Sequence, residues 1–151
     1  MDAIDEPTRR RIAERIVRGP FGQHLGFRLA ALGVDTCAVR LPHHRAVENG
    51  VGVVHGGAIA ALVDTAATAA AWASPGLGAA SRGATAGVTV SYLSAARGHD
   101  LLATARVLRR GRAIVAIEVD VADTGGRHVA RALVTYRLAD VPDAEGPSIL
   151  G

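Results

Sequence analysis

The chain has 151 residues, of which 49% are hydrophobic and 21% charged, and this size suits a single globular domain with one sizeable core. Two Phe, two Tyr and one Trp are too few for a surface that binds nucleic acid by base stacking. All 17 basic residues are arginine, and the net charge is only +3. An arginine-rich surface suits an anionic, phosphate-bearing ligand, although coding bias also explains the excess.

The single cysteine, the N-terminal residues and the longest apolar stretch indicate in which cellular compartment the protein is expected. The single cysteine, Cys37, excludes an intrachain disulfide, and its alternating context "VDTCAVRL" favours a packed strand residue over a nucleophile. The N-terminus "MDAIDEPTRR" does not resemble a signal peptide. Asp64 interrupts the longest apolar stretch, which falls short of the roughly 20 residues that span a bilayer. We therefore expect a cytoplasmic protein without a membrane partner.

The first third of the chain predicts a short helix and a strand. Residues 7–18 read as an amphipathic helix that ends at Gly19-Pro20. The run "FRLAALGVDTCAVRLP" predicts one long strand, bent at Gly33, and a polar loop follows. We divide the chain into an N-terminal helix and lead-in (1–20), a main domain (21–139) and a flexible tail (140–151).

The rest of the chain predicts one long helix followed by four strands. The segment "VVHGGAIAALVDTAATAAAW" is almost entirely small and apolar, and the four later segments have a period of two. In the third segment, "RAIVAIEVDVAD", one face carries Ala113, Val115, Ile117, Val119 and Val121. The pattern predicts an α+β fold in which an antiparallel sheet wraps around one long Ala-rich helix, with a short N-terminal helix outside.

Polar residues in the long helix are candidates for chemistry. Gly56 and Gly57 lie where the loop becomes helix, and the N–H groups there can hold an anion or polarise a carbonyl oxygen. The alternative is a tight turn against the sheet. Asp64 has no basic neighbour on its helix face, so either that face meets solvent or the charge has a use. His55 alone is more typical of a hydrogen-bonding residue at the helix start than of a catalytic residue.

A metal centre is not expected. His43 and His44 are adjacent, but neither a second cysteine nor a convergent carboxylate spacing accompanies them. The nucleophile-elbow, P-loop and dinucleotide motifs do not occur in the sequence.

The segment "ENGVGVVHGGAIAALVDTAATAAA" resembles the signature of hotdog-fold acyl-CoA thioesterases of the phenylacetate-pathway (PaaI-like) type. Asn49, Gly52, His55 to Gly57 and Asp64 have that family's residue types and spacing. The resemblance covers residues 21–137, although Ala95 replaces a proline that is usual in the family.

The resemblance implies roles for these residues. Asp64 would act as general base or nucleophile, and the Gly57 N–H, aided by Asn49, would polarise the thioester carbonyl. His55 would organise the site, and Thr85 would position water. Apart from the resemblance, the position of Gly56 would let a ligand approach, and Thr68, one turn after Asp64, would hydrogen-bond the same carboxylate or merely pack. No cofactor is implied beyond the coenzyme A of the substrate.

The phosphates of coenzyme A suggest candidate arginines in the turn "RRGR". We list as candidate contacts Arg109, Arg110, Gly111 and Arg112, with Tyr92 and Arg137 as weaker ones; an ordinary solvated hairpin explains the arginines equally well. The resemblance further implies a homodimer or a tetramer.

Helix geometry points to sites shared between chains. Seven residues separate Gly57 from Asp64, which is about 10 Å along a helix axis, too far for one carbonyl to contact both. Two antiparallel helices related by a two-fold axis would bring Gly57 of one chain to Asp64 of the other.

Two functions other than thioester hydrolysis are alternatives for this sequence. One is a non-catalytic acyl-CoA or acyl-carrier binding protein, and the other is a hydratase of the same fold, which would pair its histidine with a carboxylate.

Overall fold

The computed structural model describes residues 4–141. In chain order its elements are α1 (Glu6–Arg11), a π-helical segment (Ile12–Val17), α2 (Pro20–Leu25), β1 (Arg28–Gly33), β2 (Thr36–Leu41), a 3-10 turn (Arg45–Val47), α3 (Gly56–Trp72), β3 (Ser81–Tyr92), β4 (Leu101–Arg110), β5 (Ile114–Asp123) and β6 (His128–Asp140).

The N-terminal region contains one helix more than predicted. The helix predicted over 7–18 is present as α1 and the π-helical segment. The sequence predicts that Gly19-Pro20 only ends this helix. In the structure Pro20 also begins α2, because the first position of a helix tolerates its fixed φ and missing N–H. Gly22 allows the close approach of the two segments, since a Cβ there would lie 2.0 Å from the Val17 carbonyl oxygen.

The prediction of one long strand bent at Gly33 is wrong. The segment forms a hairpin in which β1 pairs antiparallel with β2, and Gly33 lies opposite Thr36. The turn passes through Asp35, whose φ is +58°, a left-handed conformation that Asp tolerates better than most residues. Gly33 indicated a bend here, but apolar residues continue on both sides of the turn, so the sequence did not distinguish a bend from a full reversal.

The sheet has six strands in the order β1-β2-β4-β5-β6-β3, and every neighbouring pair is antiparallel. The four strands predicted after the long helix are confirmed, as is the alternation in β5, where Val115, Ile117, Val119 and Val121 are buried. β1 and β3 form the two edges. β6 extends to Asp140, which is the first residue of the predicted tail. Residues 142–151 of that tail lie outside the described range.

Helix α3 packs against five strands of the sheet, β2 to β6, and this arrangement confirms the predicted fold class, the hotdog fold. Its small side chains let the backbone lie close to the strands; the fully buried ones include Ala66, Ala67, Ala69, Ala70 and Ala71. One side of the helix is less covered. We call it the open stripe of α3, and it consists of Gly57, Ala60, Ala61, Asp64, Thr65 and Thr68. Among residues 4–141, no helix has both the length and the apolar character needed to cross a membrane.

Candidate active site

The start of α3 is capped by the side chain of His55. The backbone N–H of Gly57 donates to Nδ1 of His55 over 2.8 Å, and both residues are exposed. The N–H that the sequence suggests as a carbonyl donor is therefore occupied in this structure.

The preceding loop is organised by Asn49. Its Oδ1 accepts the backbone N–H groups of Val51 and Val53 over 3.0 and 3.1 Å. With that oxygen committed to the loop, the amide NH₂ of the side chain remains as the donor group. Asn49 also lines a cavity of about 360 Å³ beside the helix start, which we call the entrance cavity; its other lining residues include Gly56, Ile59, Tyr92, Leu93 and Ala95.

Tyr92 closes one side of the entrance cavity. Its hydroxyl donates to the carbonyl oxygen of Gly56 over 2.9 Å, and its ring lies against that glycine. The structure thus brings together three of the predicted residues, namely Asn49, Gly56 and Tyr92. Ala95, which replaces the proline usual in the resembling family, lines the same cavity.

The hydrogen-bond partner of Asp64 is a residue of β3. The hydroxyl of Thr85 donates to Oδ1 of Asp64 over 2.6 Å, and both side chains are partly buried. Within residues 4–141, the other oxygen, Oδ2, accepts no hydrogen bond. The carboxylate is therefore held in place through one oxygen only. The resemblance implies that Thr85 positions water, and the structure places its hydroxyl directly on the Asp64 carboxylate.

A buried polar chain continues along the same side of the helix. The Trp72 indole N–H donates to the Tyr136 hydroxyl over 2.8 Å, and this phenol also shares a hydrogen bond with Thr68. Burial raises the pKa of Tyr136; the hydrogen bonds from Trp72 and Thr68 oppose that rise, and the charge of Asp64 adds to it. Thr68 thus contacts the phenol, one turn from Asp64.

Sequence analysis missed Tyr136 and Trp72. Tyr136 lies opposite Thr85 in the pairing of β3 with β6, so both side chains face α3. Room for the ring exists because Gly83 lacks a side chain: a Cβ there would lie 2.6 Å from Cε1 of Tyr136. The available signal was a polar tyrosine at an inward position of a strand whose other inward residues are apolar.

The predicted arginine cluster lies at the far end of α3. Arg110 donates to Oδ1 of Asp35 over 2.6 Å and to the Ala71 carbonyl oxygen over 3.0 Å, so it ties the first hairpin to the end of the helix. Fourteen residues separate Gly57 from Ala71, about 21 Å along the helix axis. One chain therefore does not bring this cluster to its own helix start.

The remaining candidates in that region are exposed. Arg109, Gly111 and Arg112 lie in or beside the turn between β4 and β5, where the Gly111 N–H donates to the Ile114 carbonyl oxygen over 2.8 Å. Arg137 points away from α3, because it alternates with the buried Tyr136 and Leu138 in β6.

His43 and His44 do not converge. Nε2 of His43 contacts Oε1 of Glu48 over 2.8 Å, and Nε2 of His44 contacts the Leu25 carbonyl oxygen over 2.9 Å. Each ring therefore fastens a different part of the loop before α3. The buried Cys37 thiol, as expected, is a packed residue of β2.

The fold is the hotdog fold, and solved structures of thioesterase-superfamily proteins are similar to it. A thioesterase family protein from Silicibacter pomeroyi superimposes with a TM-score of 0.80 at 22% identity, covering 89% of this chain and 99% of that one. The PaaI protein of the Escherichia coli phenylacetic acid degradation operon gives 0.76 at 19% identity, with coverages of 89% and 94%. Zebra fish thioesterase superfamily member 2 gives 0.74 at 27% identity, with coverages of 84% and 93%. The resemblance to the PaaI type seen in the sequence is confirmed at the level of the fold.

The chain belongs to the family described as a domain of unknown function, DUF4442, whose model matches residues 10–138. A protein of Halobacterium salinarum, named as a proposed esterase, is 41% identical over 86 residues. That match covers 55% of this chain and spans only 56% of the relative's length.

Proposed function

We propose that the protein hydrolyses an acyl-CoA thioester to a free acid and coenzyme A, with Asp64 as the catalytic carboxylate. The observation that carries this proposal is the state of Asp64, held by Thr85 through Oδ1 with Oδ2 open, on the less covered side of α3. The thioesterase names of the structural relatives and the esterase name of the sequence relative support it.

The chemistry needs few groups. As general base, Asp64 takes a proton from water, the water oxygen bonds to the acyl carbon, and the C–S bond breaks to release a thiolate. As nucleophile, Asp64 bonds to the acyl carbon itself, and water then hydrolyses the resulting anhydride. A thiolate leaves without protonation, so neither route requires a metal or a redox cofactor.

The charge that develops on the carbonyl oxygen needs donors. We assign this role to the Gly57 N–H and the Asn49 amide, at the positive end of the α3 dipole. His55 holds the Gly57 N–H in the free protein and releases it when the carbonyl oxygen arrives. Gly56 and Tyr92 shape the wall of the entrance cavity beside these donors.

We place each site between two chains, because Gly57 and Asp64 are about 10 Å apart along their own helix. Two features support a dimer. The open stripe of α3 leaves Asp64 accessible from outside its own chain. β3 is a 12-residue edge strand with Arg82 as its only charged residue, and such an edge is suited to pairing with a second copy.

The test combines a panel of acyl-CoA thioesters with the variant Asp64→Asn, with release of free thiol as the readout. We expect the wild type to cleave part of an aryl and alkyl panel, and Asp64→Asn to lower turnover by about 10²- to 10⁴-fold, as for loss of a general base. The fold should persist, because an Asn oxygen still accepts the Thr85 hydroxyl.

Asp120→Asn is the matched control, since it removes a carboxylate from the outer face of the sheet. Within residues 4–141, the one ion pair of Asp120 is with Arg131 at 3.4 Å. This variant should keep wild-type turnover. Turnover of Asp64→Asn near that of wild type would exclude Asp64 as the catalytic carboxylate. Binding of several thioesters by the wild type without any cleavage would instead establish the non-catalytic binding protein.

A further inference from the structure

A second cavity, which we call the arginine pocket, lies beside the entrance cavity. It has a volume of about 290 Å³ and lies between the loop that follows β3 and the turn between β5 and β6; its lining residues are Ala95, Arg97, His99, Asp123, Gly125 and Arg127. We propose that it binds the phosphate groups of coenzyme A. This inference rests on the proposed function, since it assigns the nucleotide end of the same substrate.

The charges of the arginine pocket favour an anion. Arg127 is exposed, and its guanidinium makes no hydrogen bond or ion pair within residues 4–141. Arg97 spends one N–H on the Val51 carbonyl oxygen over 2.8 Å, which leaves further donors of its five. A guanidinium matches the geometry of phosphate oxygens with two parallel hydrogen bonds.

One carboxylate faces this pocket. Asp123 is only 8% exposed, and its Oδ1 accepts the backbone N–H of Arg127 over 2.9 Å. It therefore fixes the turn that carries Arg127 rather than neutralising the guanidinium. Gly125 keeps the floor open, because a Cβ there would lie 3.1 Å from Asp123 Oδ1 and 3.7 Å from the His99 ring.

The position of the arginine pocket links it to the thioester site. Ala95 lines both cavities, so a single short loop separates them. The Arg97 contact to Val51 also ties the pocket to the loop that Asn49 organises. A ligand with its thioester at Gly57 and a phosphorylated end on the same side of the chain fits this arrangement. The turn "RRGR" of the same chain is at the opposite end of α3.

The test uses Arg127→Glu, since Arg127 has no structural contact through its side chain to lose. We expect the KM for an acyl-CoA to rise about tenfold or more, the scale of a lost charge-assisted hydrogen bond, with kcat little changed. The KM for the same acyl group on pantetheine, which carries no phosphate, should not move. The control Arg28→Glu makes the same change in charge on the exposed edge strand β1 and should leave both KM values unchanged.

Calorimetry with unacylated ligands separates this inference from the proposed activity. Coenzyme A should bind wild type more tightly than pantetheine does, and Arg127→Glu should abolish that difference. If the thioester panel shows no cleavage while this dependence holds, the hydrolase proposal fails and the pocket assignment stands. Unchanged binding of coenzyme A by Arg127→Glu, or an equal loss for pantetheine, would overturn the assignment. Displacement of coenzyme A by inorganic phosphate at comparable concentration would also overturn it, by showing a site for free phosphate.

Discussion

Asp64 shows how a carboxylate is kept on the face of an otherwise apolar helix. The sequence offers it no partner within α3, and an unpaired buried charge is costly. The structure supplies a single hydroxyl from Thr85, and partial exposure provides the rest of the solvation. One hydrogen bond orients the side chain without consuming its second oxygen, which is the state that general-base or nucleophilic chemistry needs.

Cys37 provides a test of burial at a single residue. Burial raises the pKa of its thiol from 9.0 to about 12, against a small opposing effect of Arg9. Above pH 9 the unfolded chain loses this proton while the folded chain keeps it, so the free energy of unfolding falls as pH rises towards 12. The slope from one thiol approaches about 1.4 kcal/mol per pH unit.

We therefore expect Cys37→Ala to have a shallower decline of stability over this range, measured by urea unfolding at several pH values from 8 to 11. Wild type is the reference at each pH. Ionisation of Tyr136, whose pKa is also raised, affects both proteins alike and cancels in the comparison. Parallel declines in the two proteins would show that the thiol is not buried as described.

At the scale of elements, the pairing of β3 with β6 builds the Asp64 environment. The register places Thr85 opposite Tyr136, and Gly83, two residues before Thr85, accommodates the Tyr136 ring. A bulge between Thr85 and Gly87 then shifts the register of β3 against β6 by one residue. The polar chain beside α3 therefore depends on one glycine in an edge strand.

The variant Gly83→Ala tests this dependence. Its Cβ would lie 2.6 to 3.0 Å from three atoms of the Tyr136 side chain, so that side chain must shift, and we expect a loss of about 1–3 kcal/mol in the free energy of unfolding. Gly87→Ala is the matched control on the same strand, where a Cβ meets nothing within 4 Å. Equal stability of the two variants in urea unfolding would contradict the account.

Sequence patterns predicted the elements well where hydrophobic periodicity was uninterrupted. The period of two located β3 to β6, and the small apolar run located α3. The turn at Asp35 was missed because alternation continues on both sides of it and no glycine marks its left-handed residue. Tyr136 was missed for another reason: cross-strand register decides which inward residues meet, and alternation within a strand does not encode register.

For the molecule as a whole, the candidate groups fall into two sets that one chain keeps apart. The Gly57 donor and the entrance cavity lie at the start of α3, whereas Asp64, Thr85 and the polar chain lie further along it. The open stripe of α3 and the edge strand β3 face outward beside the second set. In a dimer whose two α3 helices run antiparallel, the first set of one chain would meet the second set of the other, at two places. Our central claim is that each active site is shared between two chains in this way.

Complementation between two inactive chains tests that claim most directly. One parent is Asp64→Asn, and the other is Gly57→Pro, which removes the donor N–H at a first-turn position where helices tolerate proline. The chains carry different tags, are refolded together, and folded mixed dimers are verified by native mass spectrometry before thiol release is measured. Each parent alone should be nearly inactive. Statistical mixing makes half of the dimers mixed, each with one intact site of two, so activity should recover to about a quarter of wild type. Verified mixed dimers that recover no activity would show that each site lies within one chain and would contradict the account.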